Sequence, residues 1–286
     1  MLCLLKLGKV CSTFEVVLFI GEAMIPKIIH YCWFGKNDKP ESVEKYLATW
    51  REKCTNYKII EWNESNFNID SNVFCRESYE AKKWAFVADY VRLAVLYKYG
   101  GIYMDTDVEV LKSFDDLLAN NGFLCFENKK MVSIGTIGIC KQSPIIKELL
   151  DLYKHMKFTN DDGTFNMTTN LTYVTDLLSN KYGLKLDGKK QVLPGNILVL
   201  PMNAFIAKSY WTGWIMADDD TYAIHHYAAS WLDDFQRERD MRQSFYVKKY
   251  LKMVENLIIK IAYIQANYDV LGMYGFVKKS FKHFLK

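Results

Sequence analysis

The chain has 286 residues, half of them hydrophobic and 24% charged, with a net charge of +4; this composition excludes a disordered polymer and supplies enough apolar surface for one large domain with an appendage. Its seven cysteines are odd in number, scattered from Cys3 to Cys140 and free of C-x-x-C spacing, which argues against a cysteine metal site and for a reducing cytoplasm. From Met241 onward nine Lys and Arg face two acids, so the tail carries +7 and the remainder −3; with a mildly acidic body and no nucleic-acid motif, nucleic acid is not an expected partner.

Residues 1–23 are apolar, but Lys6, Lys9 and Glu15 break them into pieces shorter than the roughly 20 residues a bilayer span needs. The basic residues sit within the apolar run rather than before it, unlike a signal peptide. Met24, after "GEA", is expected as the natural start, which leaves 1–23 as an extension. From Ile25 the pattern alternates. "KIIHYCWFG" (27–35) is a β-rich run stopped by glycine, "ESVEKYLATWREKC" has helical spacing through Val43, Leu47 and Trp50, and "YKIIEW" is a second short strand; together they open an α/β sheet. "SYEAKKWAFVADYVRLAVLYKYGG" (78–101) repeats apolar residues every three and four positions from Trp84 to Tyr99 and predicts one helix closed by Gly100-Gly101.

The strand "IYM" then delivers Asp105 and Asp107 to its carboxyl end, the edge where open α/β sheets bind ligands. Two carboxylates there repel unless a cation lies with them, and oxygen ligands favour Mg²⁺ or Mn²⁺ over Zn²⁺. Asp-Thr-Asp alone is also compatible with a solvated turn. "FLCFEN" reads as a strand that leaves Glu127 beside the site, and "SIGTIGICKQSP" reads as a glycine-rich loop near a ligand or as a β-bulge.

"ADYVRLAVLYKYGGIYMDTDV" resembles the D-x-D sugar-binding region of glycosyltransferase family 32, matching its pattern at Ala88, Asp89, Arg92, Leu96, Tyr97, Gly100, Gly101, Tyr103, Asp105 and Asp107. "IPKIIHYCWFG" resembles the family's first strand and "AIHHYAASW" its closing His-then-Ser-Trp element, so the likeness spans Ile25 to Trp231. The resemblance implies an α/β fold of GT-A type: a Rossmann-like nucleotide-binding sheet with flanking helices, catalytic over 24–235, followed by a helical basic extension over 236–286. It also implies a nucleotide-sugar donor, UDP-linked in the first instance, a Mn²⁺ or Mg²⁺ ion, a hexose or N-acetylhexosamine moved with retention, and a glycan or lipid-linked glycan acceptor of the kind used in bacterial capsular or surface polysaccharide synthesis.

Residue by residue, the resemblance makes Asp107 a direct metal ligand and Asp105 one shared with ribose, sugar or a metal-bound water. His225 stands at the family's position for a third ligand, with His226 next to it and turned the other way if the segment is extended. Ser230 and Trp231 fall on the loop that closes over the diphosphate. Trp33 offers a face on which uracil stacks, or else is a core tryptophan; Asp89 accepts from a sugar or ribose hydroxyl, and Arg92 forks onto sugar oxygens or braces the carboxylates. Tyr103 belongs with the donor-binding set, and Asp105, Asp107 and Arg92 form the catalytic set. The chain departs from the family at "MTTNLTYVTDLL", where Thr169 and Asn170 replace a Gly-Pro.

Two other readings compete: a haloacid-dehalogenase-like phosphatase with Asp105 as nucleophile, opposed by Glu109 and by the motif's place a hundred residues in, and a non-catalytic sugar-binding module. The tail adds a separate expectation. Apolar stripes over Val247–Ile261 and Val270–Phe284, with lysines opposite, either pack on the domain or lie on an anionic membrane surface, which would place the protein in the cytoplasm at the inner face of the membrane.

Overall fold

A computed structural model describes residues 24–228, 235, 237–254 and 257. The N-terminal extension, Ser230, Trp231 and the last basic stretch therefore lie outside the described residues. In chain order the elements are β1 (Ile28–Cys32), α1 (Glu41–Lys53), β2 (Lys58–Trp62), α2 (Val73–Glu80), α3 (Trp84–Tyr99), β3 (Gly101–Met104), β4 (Val108–Val110), β5 (Gly122–Asn128), β6 (Met131–Ile139), α4 (Pro144–Tyr153), α5 (Asn170–Tyr182), β7 (Gln191–Leu193), β8 (Ile197–Leu200) and β9 (Ala223–His225). Residues 237–254 are helical.

Seven strands form one mixed sheet in the order β2-β1-β3-β6-β5-β8-β7, and β4 pairs with β9 in a small second sheet. β1 runs parallel to β2 and β3, β6 is antiparallel to both β3 and β5, and β5 is parallel to β8. It follows that β2, β1, β3, β5 and β8 all point the same way. Their carboxyl ends bring Trp33, Asp105 and Glu127 to one edge, as the sequence placed the acid pair. Helices flank the sheet, and its two faces are buried in separate cores: one around Ile29, Trp50, Ile102 and Phe205, the other around Phe86, Leu96, Phe126 and Ile146. Trp50 is fully buried and its indole N–H donates to Val108 O at 2.7 Å, so α1 is tied to the strand that follows the acid pair.

Two local expectations are corrected. The single helix read from Ser78 is two, α2 and α3, broken at Lys82, whose φ is +58°. The break is made by packing: Trp84 opens α3 by laying its indole edge-on to Tyr79 at 5.2 Å and against Gly35, where it fills the space a Cβ would need. "SIGTIGI" is not a loop but β6 itself. Its pairing with β5 slips between Phe123↔Gly138 and Cys125↔Ser133, so the bulge reading of the glycines is the one observed, and the Phe123 ring occupies the place of a Gly138 side chain.

The Gly100-Gly101 stop is as read. Gly100 closes α3 by donating to Leu96 O at 2.8 Å, and both glycines have positive φ, +66° and +108°. A Cβ on Gly100 would meet Lys141 N, and one on Gly101 would meet Ile28 O. The turn from α3 into β3 is thus too close to its neighbours for any other residue.

Candidate active site

α3 and β3 run side by side, so residues in mid-helix reach those beyond the strand. Arg92 is buried and donates from one nitrogen to Ile134 O at 2.7 Å and from the other to Asp105 Oδ1 at 2.9 Å. Asp89, one turn earlier, lies 3.4 Å from the same guanidinium and accepts from Asn170 Nδ2 at 2.5 Å. The guanidinium sits 4.4 Å above the Tyr103 ring. A buried line Asn170–Asp89–Arg92–Asp105 therefore holds the first acid of the pair from behind. Burial pushes the Asp89 carboxyl up to about 7 against the pull of Arg92. It also raises Asp105, with the Asp107 charge adding to burial and Arg92 opposing both.

Asp107 is held differently. Its backbone turns into β4, and its carboxylate accepts from Ala228 N at 2.7 Å and meets His225 Nε2 at 3.1 Å. Burial works against the charge, but His225 and the Ala228 N–H keep the carboxyl below its ordinary value. Burial likewise works against an imidazolium at His225, yet Asp107, Asp105 and Glu127 push it up to about 9. His225 reaches the acids because β9 pairs with β4 in the register Val108↔His225. Its ring packs on Tyr227 at 4.6 Å, and the Tyr227 hydroxyl donates to Glu127 Oε1 at 2.9 Å.

The sequence-derived residues thus divide. Asp89, Arg92, Asp105, Asp107 and His225 are brought together, with Glu127 beside them. His226 is not: its Nε2 meets Glu109 Oε2 at 2.8 Å, its Nδ1 meets Lys208 Nζ at 3.1 Å and its ring stacks on Tyr46 at 4.6 Å, because successive residues of an extended segment face opposite ways. As a metal ligand it is corrected to a member of this neighbouring cluster. Tyr103 is buried beneath Arg92, with its ring against the guanidinium, and its hydroxyl acts on Asp105. Trp33 stands half-buried just past β1, one side against the core, with its indole N–H on Asn37 O at 2.7 Å and Lys39 Nζ 5.9 Å from the ring. Ser230 and Trp231 lie outside the described residues.

Three contributors were not singled out as site residues in the sequence, although the stretch around Gly135 was read as a glycine-rich loop near a ligand or a β-bulge. Asn170 showed only as a departure from a family pattern. Tyr227 adopts φ +57°, which nothing in "HHYAAS" announces. Gly135, within the β6 bulge, accepts at its carbonyl from Asp105 N at 2.8 Å, and a Cβ there would stand 2.9 Å from Asp105 Oδ2 and 3.6 Å from His225 Cε1.

Among the described residues, no group of three or more His, Cys, Asp or Glu is gathered as a closed metal cage. The residues nonetheless suit a hard divalent ion. The 3.1 Å between Asp107 Oδ1 and His225 Nε2 is close to the spacing of two adjacent octahedral ligands with bonds of about 2.1 Å. His225 Nδ1 is buried without a partner, and the missing Cβ of Gly135 leaves space between Asp105 and His225.

Fold and site define an α/β protein with a D-x-D acid pair at the carboxyl edge of its sheet, braced by an arginine and met by a histidine from a late strand. Residues 40–124 match the family described as "Glycosyltransferase sugar-binding region containing DXD motif", and both acids of the pair lie within the matched residues. It is similar to inositol phosphoceramide mannosyltransferase 3 of Schizosaccharomyces pombe, 28% identical over 45% of this chain and 37% of the relative. It is also similar to a mannosyl phosphorylinositol ceramide synthase of Saccharomyces cerevisiae, 29% identical over 46% and 35%, and to subversion of eukaryotic traffic protein A of Legionella pneumophila, 26% identical over 50% and 27%. The chain thus spans little more than a third, or less, of the length of these curated relatives. Among solved structures it matches the PaToxG glycosyltransferase (TM-score 0.40, 20% identity, 45% of this chain and 60% of that one). It also matches a glycosyltransferase involved in glycosylation of the major capsid of PBCV-1 (TM-score 0.41, 11% identity, 76% and 99%).

Proposed function

We propose that this chain is a metal-dependent glycosyltransferase that moves a hexose or N-acetylhexosamine from a nucleoside diphosphate sugar to a glycan or lipid-linked glycan acceptor in surface polysaccharide synthesis, with retention at the anomeric carbon. The observation that carries this reading is the meeting of Asp107 with His225 at 3.1 Å beside the Arg92-braced Asp105, within the matched sugar-binding region. The match across both acids favours it over a phosphatase built on Asp105. Asp107 and His225 would hold a Mn²⁺ or Mg²⁺ ion, with Asp105 alongside. When bound, such an ion stabilises the charge that develops on a departing nucleoside diphosphate.

The chain's own residues supply the rest. Asn170, Asp89 and Arg92 hold Asp105 through Oδ1, with Oδ2 on the side of Gly135. Asp89, buried and carrying a carboxyl raised to about 7, offers a hydrogen-bonding group to a sugar hydroxyl. Trp33, at the same sheet edge, offers a flat surface to the base, and uracil remains the first base to try. The names of the fungal relatives put mannose first among the sugars, so GDP-linked hexoses belong beside UDP-linked ones. The test is nucleotide release from a panel of UDP- and GDP-sugars with Mn²⁺, Mg²⁺ or chelator. One donor should stand out, with turnover lost on chelation. Release from none of them, or release indifferent to chelator, would sink the reading.

A further inference from the structure

The loop over residues 207–216 is rooted in the candidate site and ends at the surface. At its root Tyr210 packs edge-on against Tyr227 at 5.2 Å, the residue that covers His225. The loop then folds on itself: Lys208 bridges to Ile215, Ser209 N donates to Trp214 O at 2.9 Å, and Gly213 N to Ser209 O at 2.8 Å. The tip is therefore a defined turn, yet it leaves Trp214 60% and Ile215 58% exposed, with Met216 exposed behind them.

The helix over residues 237–254 is fastened to this loop. Tyr210 donates to Asp240 Oδ2 at 2.6 Å and Ser244 to Trp211 O at 2.5 Å. Lys248 Nζ lies 4.0 Å from where a Gly213 side chain would begin. Met241, Phe245, Lys248 and Lys252 recur at four, three and four residues and share one helix face; Met241 and Phe245 are each 62% exposed. Residues 241–254 contain Arg242, Lys248, Lys249 and Lys252 and no acid.

We infer that the loop tip and this helix face together dock on an anionic lipid bilayer, so that an acceptor carried by a lipid is presented at the mouth of the site. This inference rests on the proposed glycosyl transfer only for its choice of acceptor. A tryptophan among aliphatic side chains at a tip, with Lys248 beside it, is the composition of a membrane interface. Arg242 is paired with Glu238, so the cations offered to anionic headgroups are Lys248, Lys249 and Lys252, each contributing while it lies within a Debye length of the surface and opposed by the exposed Asp218, Asp219 and Asp220 beyond the loop. No helix among the described residues is long and apolar enough to cross a membrane. The root of the loop links this contact to the catalytic acids through Tyr210 and Tyr227.

The test uses the full chain and sedimentation with phosphatidylcholine vesicles, with and without phosphatidylserine. Wild-type protein should bind the anionic vesicles at low salt and release as salt rises. Replacing Trp214→Ser and Ile215→Ser together should weaken binding roughly tenfold or more, since two large apolar side chains no longer leave water. Lys248→Gln and Lys252→Gln should each cost about fivefold. Both sets of variants should keep the wild-type melting temperature and nucleotide release from a soluble donor. Vesicle binding without any donor turnover would uphold the surface and remove the proposed activity; turnover without vesicle binding at low salt would do the reverse. Unchanged binding in the Trp214/Ile215 variant overturns the inference. So does a wild-type dimer that this variant converts to monomer, because a second copy then covers the patch.

Discussion

Asp107 accepts from Ala228 N–H and His225 at once, and this sets what its replacement should do. Asp107→Asn keeps the volume and an oxygen for Ala228, so the fold should survive with little change in melting temperature. It removes the charge that faces His225, and Mn²⁺ affinity measured by titration calorimetry should fall by at least roughly 10- to 100-fold, the range already seen when only outer-sphere partners are lost. Transfer should fall with it, and wild-type Mn²⁺ affinity in this variant would refute the ligand assignment. Trp33 allows a sharper choice, because one side of its ring rests on the core and the rest is half-exposed. If the ring stacks the base, Trp33→Ala should weaken nucleoside diphosphate binding by about 1 to 3 kcal/mol while melting barely changes. A large drop in melting temperature with unchanged affinity would make it a core residue. The meeting of these residues was legible because the residue types are chemically narrow: two acids, an arginine one turn from an aspartate, and a histidine. Asn170 and Tyr227 were not, since their parts depend on which distant segment they meet.

At the scale of elements, what the sequence conveyed followed from periodicity and what it concealed followed from packing. α3 showed itself by apolar residues at three and four and by the glycine pair that no other residue could replace, and those features place Asp89 and Arg92 beside Asp105. The alternation of an extended strand separated His225 from His226, so the single member that reaches the acids was expected in kind. By contrast, the break at Lys82 is imposed by Trp84 settling on Tyr79 and Gly35, contacts that no local pattern encodes. β6 read ambiguously because glycines signal loops; here one glycine yields to a phenylalanine ring and the other to the acid pair. β4 and β9 are three residues each and more than a hundred residues apart, too short for a periodic signal. Yet their pairing is what carries His225 to Asp107.

For the whole molecule, the alternating strands and helices indicated an α/β sheet, but the antiparallel insertion of β6 between β3 and β5 comes from long-range pairing and had no counterpart in the pattern. On β1, between β2 and β3, His30 is fully buried. The Trp62 indole, which can only donate, gives its N–H to His30 Nδ1 at 3.1 Å, so Nε2 carries the ring proton and donates to Gly100 O at 2.8 Å. Both nitrogens are then used by the neutral ring, and burial lowers its pKa from 6.5 to about 4 despite the Gly100 carbonyl. Between these values the unfolded chain binds the proton that the folded one refuses, so this contribution to stability is complete above about pH 6.5 and drains away as pH falls toward 4, by about 3 kcal/mol in all. Asp89 acts in the opposite sense over an overlapping range, because a folded carboxyl raised to about 7 takes up a proton before the unfolded one does. The total stability can therefore look flat, and the informative quantity is the difference between wild type and His30→Gln in urea unfolding. That difference should shrink by about 3 kcal/mol from pH 7.5 to pH 4, as the wild type loses what the titration-silent glutamine never had. A difference that stays constant across this range would mean that His30 is not held neutral by the fold.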